Sequence, residues 1–270
     1  MYSIIDIGSN SVRLMCGGKK SLITSQLSLN MHNDVLDNDS MLRTSEAIAK
    51  LCQKAVPPIH VFATEAVRNA KNKQVFIDLV KSKTSLDIDV ISGKQEALLS
   101  FTGAANGEKD KINVIDLGGA SCEIVLGENG NIINSTSLRF GCVFLKNKFG
   151  TDYNAISNYV KKMLAGAPNG GKKAIAVGGT ATSLAAAALN LTEYDSAKVN
   201  GYYLSLSDIE KVCNLIAEGK RYPVIDEKRT AVIVQGGVAL AEVIKYLGFD
   251  GTFVSDSDNL EGYAIYHNLT

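Results

Sequence analysis

The sequence has no net charge, no cluster of cysteine or histidine and no long apolar run, and each absence removes a class of function. Its 28 lysines and arginines are matched by 28 aspartates and glutamates. Long-range attraction therefore cannot by itself recruit a polyanion or an anionic surface, and no nucleic-acid or membrane partner is expected. Any anion must be held locally. The three histidines, His32, His60 and His267, are scattered along the chain, which argues against a histidine metal centre. Five cysteines stand far apart without a CxxC pair, a pattern that suits a reducing cytosol better than a disulfide frame or a zinc site. No stretch approaches the roughly 20 apolar residues that a membrane span needs. The opening MYSIIDIGSN has neither a basic leader nor a cleavage pattern. A soluble, unexported, cytoplasmic protein is the expectation.

What is present is ordinary globular material: 270 residues, 46% apolar and 21% charged, enough for one large domain or two of usual size. Short β-rich runs alternate with longer helical stretches, the signature of an α/β fold. The strands are expected at SIIDI, VRLMCG, SLITSQLSL, HVFAT, DIDVIS, NVIDL, CEIVLG, IINSTSL, AIAVGG and GTFVSD. Helices are expected near 44–54, 72–82, 93–105, 152–165, 181–189, 207–217 and 231–246. The polar stretch from Asn106 to Lys111 reads as a linker, dividing the chain into domains of about 1–110 and 111–270.

An internal repeat is the most informative feature. Ile4–Met15 (IIDIGSNSVRLM) aligns with Val114–Val125 (VIDLGGASCEIV), placing Asp6 over Asp116, Gly8 over Gly118 and Ser11 over Ser121. Each copy reads as a buried strand with a carboxylate near its end, a turn of small residues and a returning strand. Such a turn can aim successive N–H groups into one concavity and so bind phosphate oxygens. Ser9, Asn10, Ser11, Gly118, Gly119, Ala120 and Ser121 are the candidates for that role. A carboxylate repels phosphate, so Asp6 and Asp116 read as ligands of Mg²⁺, with Mn²⁺ as the alternative, the cation bridging to phosphate. A third turn, Gly178–Gly179–Thr180, leads from a strand into an alanine-rich helix whose N-terminus offers further N–H groups to an anion.

Two hairpins followed by a GGT turn, in that order, resemble the superfamily of actin, Hsp70 and sugar kinases. More specifically, the chain resembles the exopolyphosphatase/guanosine-pentaphosphate phosphohydrolase (Ppx/GppA) family. The match runs through IIDIGSNSVRLM, FATEAVRNAKN, ISGKQEALLSFTGA, VIDLGGASCEIVLG, SLRFGCVFL, AVGGTATSLA and VSDSDNLEGY. It implies two RNase H-like domains with mixed five-stranded sheets meeting at an active-site cleft, with the segment near 262–270 packing back on the first domain. It also implies roles: Glu96 activates the attacking water, while Glu123 and Arg68 complete the catalytic set. The implied activity is Mg²⁺-dependent release of terminal phosphate from inorganic polyphosphate. Guanosine pentaphosphate is the alternative substrate, and a kinase or a non-catalytic sensor on the same fold stays open, as does a homodimer. The chain departs from the family pattern at Ala120 (for glycine), Cys122 (for threonine) and Gln95 (for glutamate), and it lacks the basic residue of the closing segment.

Overall fold

The computed structural model describes residues 1–269. Its first half runs β1 (Ser3–Ile7), β2 (Ser11–Cys16), β3 (Lys19–Thr24), α1 (Asn38–Cys52), β4 (Ile59–Ala63), α2 (Glu65–Arg68), α3 (Lys73–Thr84), β5 (Asp89–Val90) and α4 (Gly93–Ala104). The second runs β6 (Ile112–Leu117), β7 (Cys122–Glu128), β8 (Asn131–Leu138), α5 (Cys142–Phe149), α6 (Tyr153–Met163), β9 (Lys173–Val177), α7 (Gly178–Ala188), α8 (Ser196–Val199), β10 (Tyr203–Ser205), α9 (Leu206–Ala217), α10 (Glu227–Tyr246), β11 (Gly251–Val254) and α11 (Asn259–Tyr266).

Among the described residues these strands form two mixed sheets, ordered β3-β2-β1-β4-β5 and β10-β11-β9-β6-β7-β8. The fold is the expected α/β type with paired RNase H-like sheets. The second sheet has six strands rather than five. Its extra strand, β10, is three residues long and pairs antiparallel with β11, too short for its periodicity to be read from sequence. Helices α1, α7 and α10 also start several residues earlier than expected. Asp37 caps α1 by accepting from Ser40 N at 3.0 Å, and Asp226 caps α10 by accepting from Arg229 N at 2.9 Å, so the polar first turns belong to helix and not to loop.

Strand alternation sends side chains to two different cores. Ile5 and Ile7 of β1 join the cluster under α1 and α3, whereas Ile4, Met15 and Phe62 pack against Leu260, Tyr263 and Ala264 of α11. In the second sheet Ile115 and Leu117 join the large cluster with α7, α9 and α10. Val114, Val125 and Val177 pack instead on Ala97 and Phe101 of α4. The pair α4 and α11 thus lies between the sheets, and α11, last in the chain, rests on the first of them. Asp6 shares its parity with Ile4, and Asp116 shares its with Val114. Both carboxylates therefore end the inward faces of strands β1 and β6.

α4 and α11 approach closely enough that glycine is needed at their crossing. A Cβ on Gly262 would strike the carbonyl of Leu99, and one on Gly103 the carbonyl of Asp258. Gly262→Ala is expected to cost about 1–3 kcal/mol through overpacking against backbone that cannot rotate away. Thermal unfolding checks this; an unchanged melting temperature would contradict so close a crossing. Among the described residues, no helix is long and apolar enough to cross a membrane.

Candidate active site

The repeat read from sequence is a repeat in three dimensions. Asp6 lies opposite Arg13 in the β1–β2 pair, and Asp116 lies opposite Glu123 in the β6–β7 pair. Both turns close with the same bond, Gly8 N to Ser11 O and Gly118 N to Ser121 O, each 3.0 Å. Gly119 packs directly against Ser9 and Asn10, so the two hairpin tips meet. Ala120 adopts a negative φ there, and the alanine that replaces the family's glycine brings no backbone strain.

Between the tips lies a cavity of about 740 Å³. Asp6, Glu96 and Asp116 line it, as do Ser9–Ser11, Gly118–Ser121 and Gly178–Thr180. Gly178 has φ +81°, and a Cβ there would approach Asp116 Oδ1 to 3.0 Å. Only glycine makes this turn beside the carboxylate without strain. Arg68 and Glu123 do not line the cavity but stand behind its wall. Arg68 Nη1 donates to Glu96 Oε2 at 3.0 Å and to the carbonyl of Ile91 at 2.7 Å, and its other edge grips Glu65. Glu123 is buried, with Ser137 Oγ 2.6 Å from its Oε1. Gln95, where the family pattern has a glutamate, is exposed and closes the capping box of α4 with Ser92.

Several residues at the site carried no assignment from sequence. Arg13 joins two carboxylates, Asp6 and Asp258. Asp258 also caps α11, and Asn259 Nδ2 donates to Asp116 Oδ2 at 3.0 Å. The basic pair Lys228–Arg229 divides. Arg229 turns into the cavity, where its guanidinium covers Gly179 so tightly that a Cβ at 179 would collide with it. Among the described residues Arg229 has no carboxylate within ion-pair distance, whereas Arg13, Arg68 and Lys20 all do. Burial and the neighbouring Arg13 hold its pKa below the usual arginine value.

The floor concentrates carboxylates away from water. Burial, reinforced by Asp116 and Asp6, pushes Glu96 up to about 8 against the opposing pull of Arg68, whose charge is shared with Glu65. Burial with Asp258 and Asp6 pushes Asp116 up to about 7. Glu123 is likewise raised well above the ordinary carboxyl value by burial, Glu96 and Asp116. Asp258 goes the other way, because Arg13 and Lys20 outweigh its burial. In the unfolded chain such carboxyls titrate near 4, so between about pH 4 and 8 the fold binds more protons than the unfolded chain does. Stability is then greatest toward the acidic end of that range and falls as pH rises through it. The metal-free protein is expected to melt lower at about pH 8.5 than at about pH 5.5, and Mg²⁺ to narrow the gap by offsetting the carboxylate charges. A melting temperature that climbs over this range without metal would contradict the arrangement.

Among the described residues, four of the eight buried side-chain polar atoms without partners lie in the same place. Asp6 Oδ1, both amide atoms of Asn10 and Asn259 Oδ1 have no hydrogen bond, though each residue is buried and lines the cavity. Buried polar groups are nearly always satisfied, and an unsatisfied one costs about 1–3 kcal/mol. A ligand that brings both a cation and acceptors would satisfy all of them. The free donors toward a cation are oxygens only, from Asp6, Asp116 and Asn259, a set that suits Mg²⁺ or Mn²⁺. Among the described residues no group of three or more His, Cys, Asp or Glu forms a ready cage, so a cation on Asp6 and Asp116 would need waters and substrate oxygens to complete its shell.

Comparison with known proteins completes the picture. The family model described as the Ppx/GppA phosphatase family matches residues 4–265. The chain is 29% identical to a bifunctional 3-dehydroquinate synthase/phosphatase of Fusobacterium nucleatum over 96% of this chain and 45% of that protein. It is 31% identical to a guanosine-5′-triphosphate,3′-diphosphate pyrophosphatase of Photobacterium profundum over 59% of this chain and 35% of that protein. The chain therefore spans less than half the length of these curated relatives. Among solved structures, a PPX-GPPA enzyme of Aquifex aeolicus superposes with a TM-score of 0.76 at 28% identity, covering 98% of both chains.

Proposed function

This chain belongs to the Ppx/GppA phosphatase family, and from that premise we propose that it hydrolyses the terminal phosphoanhydride of inorganic polyphosphate. The observation that carries this reading is the set of partnerless atoms of Asp6, Asn10 and Asn259 facing a buried carboxylate, Glu96, in one cleft. The two hairpin turns and the N-terminus of α7 cradle the terminal phosphates with backbone N–H groups, helped by Ser9, Asn10, Ser11 and Ser121. Thr180, in the first turn of α7, and Arg229, which lies on Gly179 of that turn, add side-chain donors to the cradle. Asp6, Asp116 and Asn259 hold the divalent cation, which when bound offsets charge on the transferred phosphoryl group.

Glu96 is the base. Arg68 fixes its Oε2, leaving Oε1 to orient a water in line with the scissile bond and to take its proton. The leaving chain departs with the bridging oxygen. Arg68 is therefore a positioning residue, and its replacement by alanine is expected to lower kcat by about 10²-fold with a smaller change in KM, while moving the ascending limb of the pH profile to higher pH as Glu96 loses its cation. A loss confined to KM would place Arg68 on the substrate instead.

Guanosine pentaphosphate is the second reading, favoured by the name of the Photobacterium relative. Both substrates present the same terminal group to the floor. Mixing the protein with Mg²⁺ and either compound and measuring free phosphate tests the proposal. Release from polyphosphate supports the first reading, release from guanosine pentaphosphate alone supports the second, and release from neither, with cation and substrate bound, would reduce the protein to a sensor.

A further inference from the structure

The mouth of the cleft is built differently from its floor. Asp6, Glu96 and Asp116 at the floor are 3%, 5% and 6% exposed, whereas Lys20, Tyr194 and Asp256 lie in the more open part of the same cavity. Over this opening runs β3, the edge strand of the first sheet, and both its ends are tied to the second half of the chain. At one end Lys20 Nζ lies 2.7 Å from Glu261 Oε1 and 3.8 Å from Asp256 Oδ2, and donates to the Asp256 carbonyl. Asp256 is held from the far side by the Tyr194 hydroxyl and by Ser196 Oγ at 2.8 Å, and its N–H donates to Asn200 Oδ1 at 3.1 Å. At the other end Thr24 Oγ1 donates to Asp226 Oδ2 at 3.1 Å, and Lys228 Nζ donates to the Thr24 carbonyl at 3.0 Å.

The opening therefore has acidic posts, Asp256 and Glu261 on one side, which share the one ammonium of Lys20, and Asp226 on the other, where the Lys228 ammonium is spent on the Thr24 carbonyl, so that three carboxylates face two cations. A phosphate chain leaving the floor adds negative charge with each unit, and partly buried charges a few ångströms apart are only partly screened. A cavity of about 740 Å³ is of the size that encloses one small molecule, so a short chain can end inside it and a long one must pass the posts. We propose that the β3 strap with Asp256 and Glu261 is a chain-length gate that admits short polyphosphates and rejects long ones. This rests on the hydrolase reading and adds the size class of its substrate.

The test compares tripolyphosphate with a chain of about 60 phosphates, for the wild type and for the isosteric Asp256→Asn/Glu261→Gln double variant. Glutamine at 261 keeps the bond that the side chain accepts from Asp258 N, so the start of α11 is preserved. The wild type is expected to favour tripolyphosphate in kcat/KM per chain end by at least about tenfold. The double variant is expected to narrow that ratio by about tenfold, with tripolyphosphate turnover unchanged within about twofold. Dissociation constants for both chains, measured by calorimetry with Mg²⁺ on the Glu96→Gln background, are expected to show the same ratios. A wild type that takes both lengths equally, or a ratio the double variant leaves unmoved, overturns the gate. Absence of phosphate release from either chain would instead defeat the hydrolase reading, and the binding ratio would still decide the gate.

Discussion

Replacing Glu96 by Gln is expected to lower turnover by about 10²–10⁴-fold while leaving polyphosphate affinity within a few-fold of wild type. That loss corresponds to about 3–5 kcal/mol of transition-state stabilisation. The amide keeps the shape of the side chain and can still accept from Arg68 through its Oε1, so the wall of the cavity survives. What disappears is the oxygen that accepts a proton from water as the new P–O bond forms. Affinity is spared because the phosphates are held by the hairpin turns, the α7 N-terminus and Arg229, whereas among the described residues the Glu96 carboxylate bonds to Arg68. The elevated titration of Glu96, about 8 in the metal-free cleft, adds a second signature. Wild-type rate should rise with pH through the titration of this base, displaced below 8 once a cation offsets Asp6 and Asp116, and the variant should lack that limb. Near-normal turnover in the variant, or an unaltered pH profile, would remove Glu96 from the mechanism.

Chelation of divalent cations is expected to abolish phosphate release, and Mg²⁺ or Mn²⁺ to restore it. Asp6, Glu96 and Asp116 crowd one buried floor, where among the described residues Arg13 pairs with Asp6 and Arg68 with Glu96, and Asp116 has no ion-pair partner. A polyphosphate end would add charge of the same sign unless a cation came with it. Asp116→Asn should raise the Mg²⁺ concentration needed for half-maximal rate by about tenfold or more. Asp6→Asn should shift it less, because one oxygen of Asp6 is already committed to Arg13 and only Oδ1 is free. Full activity in excess chelator, or an unshifted requirement in the Asp116 variant, would show that these aspartates serve the fold alone.

The part of the site that sequence discloses is the part governed by local rules. Period-two alternation and the offset of 110 residues place Asp6 and Asp116 at equivalent inward positions, and the hairpin bonds from Gly8 and Gly118 are fixed within four residues of chain. The same alignment also sets Arg13 over Glu123, so a signal for Arg13 was present. Its role depended on Asp258, 245 residues away. Asn259 likewise acts on Asp116 across 143 residues. No periodicity encodes such pairings, which arise only when α11 returns to the first sheet. Arg229 was hidden differently: it lies in the polar first turn of α10, where composition resembles a solvated loop. The cap at Asp226, not the charge pattern, reveals that this turn is helical and that one face of it enters the cleft. Arg68 and Glu123 were found by resemblance but stand behind the cavity wall, where their proposed influence reaches substrate through Glu96 and the electrostatics of the floor.

The central claim is that water held by Glu96 attacks the terminal phosphorus. It is tested most directly by running the reaction with tripolyphosphate and Mg²⁺ in water enriched in ¹⁸O and weighing the phosphate released in a single turnover. The account predicts one ¹⁸O atom in the released phosphate, and none in the pyrophosphate left behind. Phosphate free of the label, or transfer of the phosphoryl group to an acceptor with no phosphate released, would contradict it.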